Sequence, residues 1–217
     1  MRFRMFVVGT GVIVSMVGGR AAQQAGQAGN CVPIATPQPA RVFTYEHVDP
    51  GGKTTTTEQW ESVTQTGSRV KTSGPAGVQI QINSFHIAND VAVLTLSRKT
   101  TPGGGLISST EFSPGVVSDP VFRACAGQTW PIPSVTASFR SSSGQGASAA
   151  TPSGSLRILA IHDKISVPAG AFDAVHFVRA TSQSSDEYWK SIEHGVIVKH
   201  VATSRGGGVT ETLMSIK

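Results

Sequence analysis

The sequence has little of what usually gives a function away. Of its 217 residues only 14% are charged and 6% are aromatic. It contains no Gly-x-Ser-x-Gly elbow of the kind a serine hydrolase presents. Its six histidines, His47, His86, His162, His176, His194 and His200, form no HExxH or HxH pattern, and none is spaced from a cysteine as in a zinc finger. The Gly9-Thr-Gly11 pair falls in an apolar N-terminal segment and is not a phosphate loop. Amphipathic helices of useful length and internal repeats are also missing. These absences leave no expected cofactor or metal, and the chain reads as a non-enzymatic protein.

Charge excludes a further class. The whole chain carries 18 basic and 13 acidic residues, a net +5. Arg2, Arg4 and Arg20 lie in the N-terminal segment, so the remainder holds fifteen bases against thirteen acids, a balance of +2. Nucleic-acid binding needs Lys and Arg clustered on one face, and no such cluster is visible. No nucleic-acid partner is expected.

The first residues do carry a signal. Arg2 and Arg4 precede the charge-free stretch Met5–Gly19, and small residues follow at Ala21 and Ala22. This is the three-part layout of a secretory signal peptide, expected to end at residue 22. The stretch is short of the roughly 20 apolar residues a membrane span needs, and nothing later in the chain is long enough. The expected location is therefore periplasmic or secreted, with no membrane span after cleavage.

In an oxidising compartment the two cysteines, Cys31 and Cys125, are expected to form a disulfide that pins an N-terminal arm to the core. Lipidation at Cys31 is the alternative. The preceding Gln27-Ala28-Gly29-Asn30 lacks the apolar residue that such processing requires upstream.

Abundant Gly, Ser and Thr with sparse charge suits a turn-rich β protein. Residues 23–40 have no periodicity and read as a flexible arm, ordered near Cys31. Residues 41–217 read as one antiparallel β domain. Phe43 and Tyr45 share a strand face. Val78, Ile80 and Ile82 alternate with Gln79 and Gln81, which predicts the aliphatic side inward and the glutamines in solvent. Val91–Leu96 is apolar on both faces, as in a central strand. Residues 141–154 are low-complexity and predict a mobile loop. Leu156–Val167, the turn Pro168–Ala171 and Phe172–Thr181 predict a hairpin, followed by a meander over 184–190, 195–202 and 209–216. The expectation is an all-β fold: a single curved antiparallel sheet or partial β-barrel of about ten strands, with its N-terminal arm tied by the disulfide.

Val167-Pro-Ala-Gly-Ala-Phe172, then Glu187-Tyr-Trp189, then Gly195-Val-Ile-Val-Lys199 resembles the ending of a broad group of uncharacterised bacterial exported proteins. These share VPAGxF, a Tyr-Trp some fifteen residues on, and GxxxK soon after. Gly127-Gln-Thr-Trp130 is similar to the Gly-x-x-Trp that precedes that ending. The resemblance covers residues 127–217 and implies an exported domain of unknown function, related to the curved sheets of the lipoprotein-carrier superfamily. It implies no activity. Lys190-Ser-Ile-Glu-His194 departs from the aromatic and proline that often stand there in the group.

Candidate sites are few. Tyr188 and Trp189 are adjacent in a strand and must point to opposite faces; with Trp130 they are the expected ligand-binding residues. A register that places Val167 against Phe172 would set Asp163 opposite His176, on the face of Leu159, Ile161 and Ile165. Such a pair orients and charges an imidazole. Glu187, Glu193 and Glu211 are the carboxylates available for hydrolysis. The expected function is a binding module for an apolar ligand or a lipidated partner. An envelope assembly factor acting through a sheet edge and a hydrolase remain open beside it.

Overall fold

The computed structural model of the protein describes residues 30–204 and 207–217. The expected signal segment, 1–22, and residues 23–29 of the arm lie outside the described residues.

Sixteen strands and no helix are present among the described residues. The N-terminal part holds β1 (Cys31–Pro33), β2 (Val42–Asp49), β3 (Gly52–Val63), β4 (Gly67–Gly74), β5 (Gly77–Ala88), β6 (Val91–Thr100) and β7 (Leu106–Pro120). The middle holds β8 (Arg123–Cys125), β9 (Thr129–Ile132), β10 (Thr136–Ser141) and β11 (Gly146–Ala150). The C-terminal part holds β12 (Gly154–Val167), β13 (Gly170–Thr181), β14 (Ser184–Ser191), β15 (Ile197–Ser204) and β16 (Gly207–Ile216). The expected ten strands are therefore too few. Several runs read as one strand or as loop, notably the middle of the chain, contain separate short strands.

Fourteen strands form a single curved antiparallel sheet in the order β11-β10-β7-β6-β5-β4-β3-β2-β16-β15-β14-β13-β12-β9. It does not close into a barrel. β2 pairs with β16 and so joins the first and last parts of the chain in one sheet, with Tyr45 opposite Leu213 and Phe43 opposite Ile216. β1 and β8 form a separate two-stranded ribbon.

That ribbon carries the Cys31–Cys125 disulfide, whose two residues are direct cross-strand partners. From it the chain runs on as a strap over residues 34–37. The Ile34 amide donates to the Phe122 carbonyl at 2.8 Å and the Ala35 amide to the Ile192 carbonyl at 2.9 Å. Gly195 lets the strap approach: its φ is +68°, and a Cβ there would lie 1.9 Å from the Ala35 carbonyl oxygen. The arm is thus packed against the core well beyond Cys31.

Two buried clusters fill the interior. The first gathers Ile34, Val91, Trp130, Leu156, Ile158, Val175 and Phe177 with their neighbours. The second holds Phe43, Tyr45, Val196, Val198 and Leu213, with Trp60, Ile165, Phe172 and Trp189 packed against it. Phe43 and Tyr45 share an inward face, as their spacing predicts.

Three local readings change. In β5 the expected alternation holds only in part: Ile80 is buried as expected, but Val78 is exposed and Gln81 faces a cavity rather than solvent. The 141–154 segment holds β11, which pairs with β10 with Phe139 opposite Ala147, leaving only a short turn. The β12–β13 hairpin turns through Pro168 and Ala169 alone, with Val167 opposite Gly170, not Phe172. Gly170, at φ +135°, makes this tight turn possible. Register shifts between Ile158 and Asp163 then change which residues face inward: Leu156, Ile158 and Ile161 are buried, while Leu159 is exposed.

Candidate functional site

Trp130, Tyr188 and Trp189 occupy three different environments. Trp130 is buried in the first cluster, and its indole N–H donates to the Asn89 carbonyl at 2.9 Å. Tyr188 lies parallel between Phe177, with centroids 4.9 Å apart, and His200, at 4.3 Å. These are cross-strand neighbours in β13, β14 and β15. Burial, then the nearby Asp186 carboxylate, push the Tyr188 hydroxyl up to about 12, so it stays a phenol.

Trp189 points to the opposite face, as adjacent strand residues must. It stacks on His176 at 4.3 Å, with the Lys199 ammonium 5.3 Å from its ring centroid. Its indole donates to Asp163 Oδ2 at 2.9 Å. The same carboxylate oxygen lies 3.2 Å from His176 Nδ1. The expected Asp163–His176 pair is therefore present, but diagonally: Asp163 faces Ala174 and His176 faces Ala160. The pair fixes the imidazole under the indole and makes a structural tie between β12, β13 and β14.

The three candidate carboxylates are separately placed. Glu187 lies 3.5 Å from His176, Glu211 lies 3.8 Å from His47, and Glu193 is exposed between β14 and β15. Among the described residues, no group of three or more His, Cys, Asp or Glu side chains is arranged to hold a metal ion.

A concavity beneath the strap lies elsewhere. A cavity of about 220 Å³ sits between the strap and the inner face of the sheet. Ile34, Ala35, Thr36 and Pro37 form its roof. Its floor comes from Trp60 and Val63 of β3, Ser68 of β4, Gln81, Asn83 and Phe85 of β5, and Ala92, Leu94 and Ser97 of β6. Ser118, Asp119 and Lys190 complete one wall with Val121, Phe122 and Gly195.

Register explains the polar floor. Ser68 pairs with Asn83, and Asn83 with Ser97, across three neighbouring strands. Their side chains form a row in which Ser97 Oγ donates to Asn83 Oδ1 at 2.9 Å and Asn83 Nδ2 donates to Ser68 Oγ at 3.4 Å. The glutamine Gln81 adds its amide nitrogen to Asn83 Oδ1 at 3.4 Å.

Lys190 is the buried cation of this site, with 6% of its surface exposed. Its ammonium donates to the Asp119 carboxylate and, at 2.8 Å, to the Pro120 carbonyl. Ser118 Oγ also donates to Asp119, at 3.1 Å. A buried ammonium is tolerable only with such partners. Trp60 differs from the other two tryptophans: its indole N–H is buried and has no acceptor among the described residues.

None of Trp130, Tyr188 and Trp189 lines the cavity. The sequence gives Trp60 no sign beyond its place in a Thr-rich strand and gives Asp119 none, and it marks Lys190 only as the first residue of a departing pentapeptide. A lysine between Trp189 and Ser191 in a strand gives no sign of burial, because its charged partner is 71 positions away. Gln81 does carry a signal, its place in a strict alternation, but that pattern points the aliphatic residues inward.

Comparison with known proteins adds little. No protein-family model matches the chain, and no curated protein matches it. One solved structure similar to it is a Bacteroides fragilis protein with a YmcC-like fold, regarded as exported. The two share 10% sequence identity, with 86% of this chain and 100% of that one covered at a TM-score of 0.46.

Proposed function

We propose that the protein is an exported, non-enzymatic binding module whose ligand occupies the cavity beneath the strap. The observation that carries this reading is the cavity itself: a space of about 220 Å³ with a largely apolar lining, a hydrogen-bonded row of polar side chains on its floor and a buried Lys190–Asp119 pair in its wall. Ligand sites characteristically combine apolar walls with a few convergent polar groups. Export is supported by the three-part N-terminal segment and by the disulfide, and it agrees with the resemblance of residues 127–217 to exported domains.

The size of the space directs the reading toward a small ligand. Pockets for drug-sized molecules run from about 300 to 1,000 Å³, so the lipid or lipidated partner suggested by the sequence fits only as a short apolar portion. Ligand contact passes from Tyr188, Trp189 and Trp130 to Trp60, Gln81 and Lys190. Native mass spectrometry of the disulfide-bonded protein, with organic extraction of whatever accompanies it, tests this. A one-to-one adduct that is lost in Phe85→Trp, which fills the space, supports the reading. An adduct lost instead in Tyr188→Ala or Trp189→Ala returns the site to the aromatic residues. A bare mass, with no uptake from a panel of apolar fluorescent probes, removes the binding-module reading.

One observation favours a second reading, an assembly role through a sheet edge. Of the two open edges, β9 contains Pro131, which blunts pairing. The other, β11, is Gly-Ala-Ser-Ala-Ala, exposed at all five positions and without charge or proline. Such an edge can accept an added strand. Placing proline at Ser148 should abolish capture of an envelope partner if this edge is the docking element; unchanged capture eliminates it.

A further inference from the structure

Resting on the reading of the cavity as the binding site, we propose that its ligand is a small uncharged molecule with an apolar body and a hydrogen-bond-accepting head. Three features of the cavity point to this class.

The first is an unmet donor. Trp130 Nε1 donates to the Asn89 carbonyl and Trp189 Nε1 to Asp163, both at 2.9 Å. Trp60 lines the cavity, and its buried Nε1 has no acceptor among the described residues. A buried N–H without a partner is unfavourable; as placed this one has almost no accessible surface, so an occupant bearing an oxygen acceptor relieves it by drawing the indole edge toward the cavity. Lys190 reinforces this. An ammonium has three N–H groups, and the chain supplies acceptors from Asp119 and Pro120.

The second is charge. Lys190 and Asp119 neutralise each other in the wall. An anion drawn to Lys190 meets the Asp119 carboxylate, and a cation drawn to Asp119 meets the ammonium. Either would also lose its hydration inside a half-apolar space. An uncharged head escapes both penalties.

The third is shape. Ile34, Val63, Phe85, Leu94, Val121 and Phe122 supply an apolar lining. An apolar cavity of about 150 Å³ takes up a benzene ring, so about 220 Å³ admits a ring with one small polar substituent.

Four probes of matched size separate the possibilities: toluene, benzamide, benzoate and benzylammonium. Each is titrated into the disulfide-bonded protein, and the three tryptophan indole N–H resonances are followed by NMR, with Trp60 assigned through Trp60→Phe. Benzamide should move the Trp60 indole resonance downfield in a saturable way and leave the Trp130 and Trp189 resonances in place. Its dissociation constant should be at least tenfold below those of the other three. Trp60→Phe should weaken benzamide about fivefold or more and leave toluene unchanged, which a purely space-filling role for Trp60 does not produce. Tighter binding of benzoate or benzylammonium at the same resonance, or equal binding of toluene, overturns the ligand class and leaves the binding-module reading intact. Silence of the Trp60 resonance toward all four also overturns the class; the binding-module reading then falls only if the adduct and apolar-probe searches are blank as well.

Discussion

The two ends of the sheet are built on one backbone plan and filled in opposite ways. From β12 to β16 the inward positions carry Leu156, Ile158, Val175, Phe177, Val198 and Leu213, all at 1% exposure or less. From β3 to β6 the inward positions set Ser68, Gln81, Asn83 and Ser97 among Trp60, Val63, Phe85 and Leu94, and the face ends in a cavity. Antiparallel pairing is continuous across both, so the backbone does not create the difference. Side-chain choice does: branched aliphatic and aromatic groups interdigitate and exclude space, whereas the amides and hydroxyls bond to one another in a row along the sheet and leave space above them.

If that contrast is real, the strap must matter more to one end than to the other. Replacing both Cys31 and Cys125 with serine frees a loop of 94 residues. The chain-entropy relation gives a loss of about 4–5 kcal/mol for such a loop, measurable by urea unfolding. Hydrogen exchange should show early loss of protection at Ile34, Ala35 and the cavity floor, with β13 and β14 still protected. Uniform loss across the sheet would show that the two ends unfold as one unit and share a single stability.

Large-to-small substitutions sharpen the same contrast. Phe177 is fully buried and stacked on Tyr188, so Phe177→Ala should cost about 3–5 kcal/mol, the usual figure for truncating a core aromatic. Leu94 borders existing space, so Leu94→Ala adds little new cavity surface, and its cost should stay near 1–2 kcal/mol, below the usual range for such a truncation. Equal costs in thermal or urea unfolding would mean that the cavity wall is packed as tightly as the core.

The same contrast explains what the sequence disclosed. The all-β class, the Cys31–Cys125 bond, the meander of β14, β15 and β16, and the shared face of Phe43 and Tyr45 are all legible, because each rests on local pattern or on a pair with no other partner. The place of Gln81 is not legible, because alternation reveals a strand with two unlike faces but not that polar residues of one face line a cavity. The register of β12 is not legible, because irregularities between Ile158 and Asp163 leave no mark in composition. β11 was hidden because Gly-Ala-Ser-Ala-Ala has no side-chain pattern at all; its backbone hydrogen bonds to β10 define it. The Lys190–Asp119 pair, like the cavity, depends on strands far apart in sequence.

Glu58 lies on β3, opposite Phe43 of β2, where the two ends of the sheet meet. Burial, and after it the charge of Glu211, push its carboxyl up to about 7. Unfolded, it titrates near its ordinary value of 4.5. Between those values the folded chain keeps a proton that the unfolded chain has released, so stability should fall as pH rises from about 4.5 to 7 and then level off. The full shift corresponds to about 3 kcal/mol. Glu58 keeps part of its surface open to solvent, which reduces the expected effect to about 1–2 kcal/mol. Glu58→Gln should flatten this part of the stability profile and gain that amount at pH 8. A slope that persists unchanged in the variant places its origin in another group.

The smallest effect tests the contrast most directly, because it compares identical atoms at the two ends. Replacing a tryptophan by its benzothiophene isostere removes the indole N–H while keeping ring size nearly constant. At Trp189 this deletes the bond to Asp163, a carboxylate with 36% of its side chain exposed. Bonds to charged groups contribute about 1.5–3 kcal/mol when sheltered, so solvent should bring the loss here to about 1 kcal/mol. At Trp60 the same replacement deletes a donor that has no acceptor among the described residues. Removing an unsatisfied polar group from a buried site is neutral or stabilising, so unfolding free energy should hold steady or rise by a few tenths of a kcal/mol. Opposite signs at the two positions would show that the β3–β6 end keeps a donor unused by folding. A matching loss at Trp60 would mean that its N–H is already satisfied in the folded protein, leaving the cavity without the group that most favours an accepting ligand.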